Sequence, residues 1–257
     1  MRRGVALLAV AAVLTGCGRS TQVAPPASTK AAPGGTVTVL AAASLTGPFE
    51  QLRDSMAERY PDLDVVFSFG PSSALVEQVL AGAEADVLAT ADVRTMQRAV
   101  DAGAAAADPV VFARNALALV VPGGNPGKVA GLDDLAREDL LVALCQPAVP
   151  CGAAAERLLH AAGVTAQPDT LGTDAKDVLS LVELGEVDAA LVYRTDAAAA
   201  AGAVEMIDVP VADQVVNDYP AVVLSNAPNP AAAQVVFEAI TGHPGQRVLS
   251  DTGFLPP

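Results

Sequence analysis

Three kinds of position along this chain could hold a ligand without a single formal charge. Ser44 follows the apolar run VTVLAAA, Ser72 and Ser73 follow DVVFSFGP, and Tyr193 ends DAALVY. Each lies where a run that reads as a strand stops, and the serines also open segments that read as helices. Cys151, after LLVALCQPAVP, and Ala175, after Gly172-Thr173-Asp174, open two more helical segments and offer only their backbone N–H groups. A helix N-terminus has free N–H groups and a partial positive charge, which suits an anion. Lys176 and Arg194 are adjacent in sequence, yet no Lys or Arg occupies the positions themselves. A set of hydroxyls and amides would bind a dianion by hydrogen bonds alone. Taken singly, a serine at a helix start is usually an N-cap, and a tyrosine at a strand end is usually half-buried packing. Only the set points to a site.

One stretch also suggests catalysis. Gly70-Pro71-Ser72-Ser73-Ala74, between a strand and a helix, half-matches the G-x-S-x-G nucleophile elbow, with His243 downstream in the order Ser, Asp, His and His160 as the other base. The last glycine is missing, a proline precedes the serine, and no second glycine-rich oxyanion motif follows a strand. A secreted serine hydrolase using Ser72 is therefore the weaker alternative, and the chain is expected not to be an enzyme.

The elements that must carry these residues alternate. Strands are expected at residues 37–42, 64–69, 85–90, 116–121, 140–145, 188–193 and 221–225. Helices are expected at 48–60, 73–80, 92–102, 132–137, 152–162, 175–184, 231–241 and 245–251. Such alternation means βαβ units, parallel sheets and an α/β fold. Ligands in such folds sit at the carboxyl ends of strands, where helix N-termini point.

The first residues read as a targeting segment. Met1-Arg2-Arg3 is basic, residues 4–14 are apolar but short for a membrane span, and Leu14-Thr15-Gly16-Cys17 resembles a bacterial lipobox. Residues 1–16 are expected to be a lipoprotein signal peptide, with Cys17 lipidated. Residues 18–35 are small, polar and rich in Pro and Gly, which reads as a flexible tether. The domain is then expected on the outer face of the cell membrane, held by its lipid anchor. Two cysteines remain in CQPAVPC, Cys145 and Cys151. In an exported chain a pair this close is most simply a disulfide; free or metal-bound thiols are the alternatives, and no His or Cys lies nearby to complete a metal set.

The 257 residues carry a formal charge of −14, with 52% apolar and only 4% aromatic residues. That acidity argues against nucleic acid or an anionic lipid surface as partner, since both need clustered Lys and Arg. The alanine-rich apolar fraction calls for close, helix-rich packing.

Across residues 36–257 the chain resembles the molybdate-binding proteins of ABC transporters, which have the type II periplasmic solute-binding fold. The resemblance is carried by VTVLAAASLTGPFEQL, FSFGPSSALVEQVLAGAEADVLATAD, ARNALALVVPGGNP, LCQPAVPCGAAAERLL, DVLSLVELGEVDAALVYRTDA and QRVLSDTGFLPP. It implies two lobes, each with a parallel-rich sheet, residues 36–114 plus 222–257 in one and 115–221 in the other. Two crossing segments near 113–118 and 217–222 would join them. It also implies an oxyanion, molybdate or tungstate, held by Ser44, Ser72, Cys151, Ala175 and Tyr193, with no direct metal ligand and no cofactor. Cys151, where relatives commonly carry Ala or Tyr, and Ala175, where they commonly carry Val, would donate through backbone N–H. The small Ala42 and Ala43 would let the anion approach the backbone beside Ser44. An ABC permease is the implied partner and a monomer the implied state. Another small ligand, such as sulfate, on the same fold is the other alternative.

Overall fold

The computed structural model describes residues 33–257. The signal segment 1–16, Cys17 and nearly all of the tether lie outside the described residues. In chain order the elements are β1 (Gly35–Ala42), α1 (Thr46–Arg59), β2 (Leu63–Gly70), α2 (Ser72–Leu80), β3 (Val87–Ala89), α3 (Val93–Asp101), β4 (Val110–Pro122), β5 (Val142–Cys145), α4 (Pro150–Ala162), β6 (Thr170–Gly172), α5 (Ala175–Glu183), β7 (Ala189–Tyr193), α6 (Arg194–Ala199), β8 (Val204–Ile207), β9 (Val216–Val223), α7 (Pro230–Thr241) and α8 (His243–Asp251). Short 3-10 turns occupy Ala43–Leu45, Leu132–Ala136 and Pro210–Gln214.

β1 lies between β2 and β3 and is parallel to both. From Val39 to Ala42 its apolar residues run on without polar alternation, because both faces are covered there. Val37, Val39 and Ala41 pack into the larger core with Phe49 and Leu52 of α1, and with Val236 and Ile240 of α7. Leu40 points the other way, into a second cluster with Leu75 and Val76 of α2 and Met96 of α3. A strand buried on two faces has no reason to alternate. The helices show the complementary pattern. α1 buries Pro48, Phe49, Leu52 and Met56, one stripe at three- and four-residue spacing. α3 is capped by Asp92, whose carboxylate accepts from Thr95 N–H at 2.7 Å.

The paired strands follow the order β2-β1-β3-β9-β4-β7-β5-β6, with β8 also on β4. The expectation of parallel pairing holds for β1 with β2 and β3, and for β5 with β6 and β7. It fails in the middle, where β9 runs antiparallel to both β3 and β4, and β4 runs antiparallel to β7 and β8. The 13-residue β4 carries the chain out and β9 brings it back alongside, and a chain that returns along its own outward strand must run antiparallel to it. β4 changes partners midway: residues up to Ala116 pair with β9, and residues from Leu117 pair with β7. Among the described residues no helix is long and apolar enough to cross a membrane.

Candidate functional site

Ser44, Ser72, Cys151, Ala175 and Tyr193 all line one cleft that is partly open to solvent. Ala42, Ala43, Gly70, Pro71, Ala91, Val149, Pro150, Thr173 and Asp174 complete its wall. The cleft sits at the carboxyl ends of β1, β2, β5 and β7 and at the starts of α2, α4 and α5, as the position of ligands in α/β folds requires.

Neither serine is an N-cap. Ser44 lies inside the 3-10 turn Ala43–Leu45, and Ser72 is the first residue of α2, whose cap position is Pro71. Both are buried, Ser44 at 6% exposure and Ser72 at 2%. Their hydroxyls therefore have no capping duty. Ser72 Oγ accepts from Ala91 N–H at 3.1 Å. Ser44 Oγ lies 3.1 Å from the hydroxyl of Tyr219. Tyr193 Oη accepts from the side-chain amide of Asn217 at 2.9 Å. Burial pushes the phenols of Tyr193 and Tyr219 well above the ordinary tyrosine range, so both stay neutral donors.

The other wall is backbone. α4 opens with Val149-Pro150-Cys151-Gly152, and its first regular bond runs from Ala153 N–H to Val149 C=O. The N–H groups of Cys151 and Gly152 precede that bond. The disulfide Cys145–Cys151, with Cα atoms 5.8 Å apart, ties the end of β5 to the start of α4. The intervening loop folds so tightly that a Cβ on Gly152 would stand 1.9 Å from Gln146 C=O. Only glycine fits there.

At α5 the cap decides which amide is free. Asp174 accepts from Lys176 N–H and Asp177 N–H, both at 2.9 Å, and Val178 N–H bonds to Asp174 C=O. Of the first three amides of α5, this leaves that of Ala175 to face the cleft. The two neighbouring cations are engaged elsewhere: Lys176 Nζ is 3.5 Å from Asp196, and Arg194 pairs with Asp213 at 2.7 Å. Neither lines the cleft. His160 falls in the last turn of α4 and His243 opens α8; neither lines the cleft, so Ser72 has no imidazole base there.

Tyr219, Asn217 and Asp196 carried no signal in the sequence. Asn217 and Tyr219 lie in the crossing segment expected near 217–222, sit two apart on β9 and present one face to the cleft residues. Asp196 is buried, and burial is the main cause that lifts its carboxyl to about 6 against the opposing charge of Lys176. Its Oδ2 has no hydrogen-bond partner.

A profile described as bacterial extracellular solute-binding protein matches residues 37–255. The molybdate-binding protein ModA of Mycobacterium tuberculosis H37Rv is 37% identical over 257 residues, covering 99% of this chain and 97% of that protein. Among solved structures, the periplasmic molybdate-binding protein of Azotobacter vinelandii superposes with a TM-score of 0.71 at 23% identity, over 86% of this chain and 99% of that one. The sulfate-binding protein SubI of M. tuberculosis H37Rv superposes with the same TM-score of 0.71 at 18% identity, over 86% of each chain. At those identities both likenesses speak to the fold.

Proposed function

Because the chain belongs to the family of bacterial extracellular solute-binding proteins, we propose that it captures molybdate or tungstate as the intact oxyanion and delivers it to an ABC permease. The observation that carries this reading is the convergence of five donors on one cleft. Three are hydroxyls, two are helix-start amides, and no Lys or Arg lines the wall with them. Such a site neutralises a dianion through fixed dipoles. It holds the oxygens of the ligand, so no side chain coordinates the metal. The same protein would be a lipoprotein, anchored through Cys17 on the outer face of the membrane and working as a monomer.

The arrangement of β4 and β9 supports two lobes, residues 36–114 plus 222–257 and residues 115–221. Ser44 and Ser72 would come from the first, Cys151, Ala175 and Tyr193 from the second. A ligand touching both would favour a closed form. Small-angle scattering on adding molybdate should show compaction, and an unchanged radius of gyration would count against the hinge.

The SubI likeness keeps sulfate as the second reading, since it has molybdate's charge and shape at a smaller size. A thermal-shift panel of molybdate, tungstate, sulfate and phosphate, on the domain lacking residues 1–35, tests the assignment. A melting shift with molybdate and tungstate is expected; a shift with sulfate alone would transfer the reading to sulfate.

A further inference from the structure

One buried amide stands behind both walls of the cleft. Asn217, on β9, is 2% exposed and does not line the cleft itself. Its Oδ1 accepts from the guanidinium of Arg157 on α4. Its Nδ2 lies 2.9 Å from Tyr193 Oη, 3.1 Å from Ala91 C=O and 3.4 Å from Pro150 C=O. A guanidinium only donates and a carbonyl only accepts, so the amide has one way to sit, and its two protons are shared among three acceptors. Each acceptor is at most one step from a group placed at the ligand. Tyr193 is such a group itself. Ala91 N–H donates to Ser72 Oγ, so fixing Ala91 fixes the partner of that hydroxyl. Pro150 C=O belongs to the same planar peptide as the N–H of Cys151, so a bond to the one orients the other.

We infer that Asn217 is a positioning residue of the anion site. It ties the loop after β3, the start of α4 and the end of β7 to one point, and so holds Ser72, Cys151 and Tyr193 at the spacing of a single ligand. In the two-lobe reading Ala91 stands on one lobe and Pro150 and Tyr193 on the other, so the same amide also spans the cleft. A residue that only filled space at this point of β9 would need none of these four contacts. The inference rests on the oxyanion reading above.

The test is calorimetric titration of molybdate into wild type, Asn217→Ala and Arg157→Met, with both substitutions also made in the Ser72→Ala and Tyr193→Phe backgrounds, and with apo stability measured by chemical denaturation. Asn217→Ala should lose about ten- to a hundredfold in molybdate affinity. In either background the same change should cost at least about threefold less, because a donor that Asn217 positions is already gone. Arg157 is exposed on α4, so Arg157→Met lets the amide turn over without opening the core. It should lose about two- to fivefold, and less than about twofold in the Asn217→Ala background, since it acts through Asn217. An undiminished Arg157→Met loss in that background would be the mark of a missing long-range charge and would overturn the proposal. Lowered apo stability with affinity intact, or losses that add in every background, would overturn it too. Should Asn217→Ala fail to fold, Arg157→Met in the wild-type, Ser72→Ala and Tyr193→Phe proteins decides, and no loss or additive losses there overturn the proposal. A wild type that binds no tetrahedral oxyanion in the thermal-shift panel fails earlier, at the oxyanion reading, and takes this inference with it; a wild type that binds molybdate while the variants behave additively fails only here.

Discussion

The two walls of the cleft donate in different ways. On one side Ser44 and Ser72 present hydroxyls, each hydrogen-bonded to a group from a distant strand or loop. On the other, Cys151 and Ala175 present backbone amides, held by a disulfide and by the Asp174 cap. The first wall can be deleted one side chain at a time. The second cannot, because substitution leaves the N–H in place. It can only be loosened through the groups that fix its helices. The first wall is also fully satisfied, whereas beside the second lies the one buried side-chain atom without a partner among the described residues, Asp196 Oδ2. Binding energy that resides in side chains and binding energy that resides in backbone should therefore respond to different perturbations.

The largest effect is expected at Asp196 and concerns stability. Its carboxyl is lifted from 3.8 to about 6, first by burial, while Lys176 opposes the rise. The folded state thus holds the proton more tightly than the unfolded chain. The stability this group contributes is full below about pH 4 and is lost as pH rises through about 6. At about 1.4 kcal/mol per unit, the loss reaches about 3 kcal/mol. Asp196→Asn should flatten chemical-denaturation stability between those limits and make the variant the more stable protein at neutral pH. A wild type as stable at pH 7 as at pH 4.5, with Asp196→Asn no better, would show that the Lys176 pair fully compensates the burial.

Next come the serines. Ser44→Ala or Ser72→Ala removes a charge-assisted bond to the dianion and should cost about 1.5–3 kcal/mol, ten- to a hundredfold in molybdate affinity. Apo melting should fall as well, because each substitution leaves a buried group, the Tyr219 hydroxyl or Ala91 N–H, without the partner the serine supplies, so affinity and not melting is the diagnostic. Calorimetric affinities intact in both variants would remove the hydroxyl wall from the site.

Reduction of Cys145–Cys151 acts on the other wall. Closing so short a loop stabilises by about 2 kcal/mol on the chain-entropy account. Cys145→Ser with Cys151→Ser should lower apo folding stability by that amount and weaken molybdate only a few-fold, because the amide of residue 151 survives. Mass spectrometry of non-reduced exported protein should find the two thiols oxidised. Variants that melt like wild type would place the rigidity of the loop in the close approach of Gly152 to Gln146 instead.

The contrast between the walls also separates what could be read from sequence. Strand ends and helix starts are punctuated by Gly, Pro and small residues, so Ser44, Ser72, Cys151 and Tyr193 could be located from local pattern. Ala175 could be located in the same way as the start of a helical segment, but its free amide becomes visible only when the Asp174 bonds are seen. What was lost is whatever depends on pairing between distant segments. β4 begins at Val110, six residues before its expected start, because Arg114 and Asn115 interrupt the apolar run while still pairing with β9. β9 reaches back to Val216 through Asn217, Asp218 and Pro220, residues that signal a turn. β6, β8 and α6 span three, four and six residues, too short for periodicity to register. Tyr219 and Asn217 inherit that blindness, since their role exists only once β9 lies beside the cleft.

The smallest effect tests the backbone wall most sharply. Asp174 takes two of the first amides of α5 and lines the cleft itself. Asp174→Ala removes an N-cap, which costs about 1 kcal/mol of stability. It also frees the Lys176 and Asp177 amides and takes a carboxylate away from a bound dianion. A wall made of backbone should then keep its affinity, within about threefold and toward tighter binding, as a modest local charge effect allows. Lower apo melting with molybdate affinity held is the outcome that separates this wall from the serine wall. A loss as large as that of Ser44→Ala would mean that the Asp174 cap, by orienting the Ala175 amide, is itself part of the binding energy, and the distinction between the walls would collapse to one of degree.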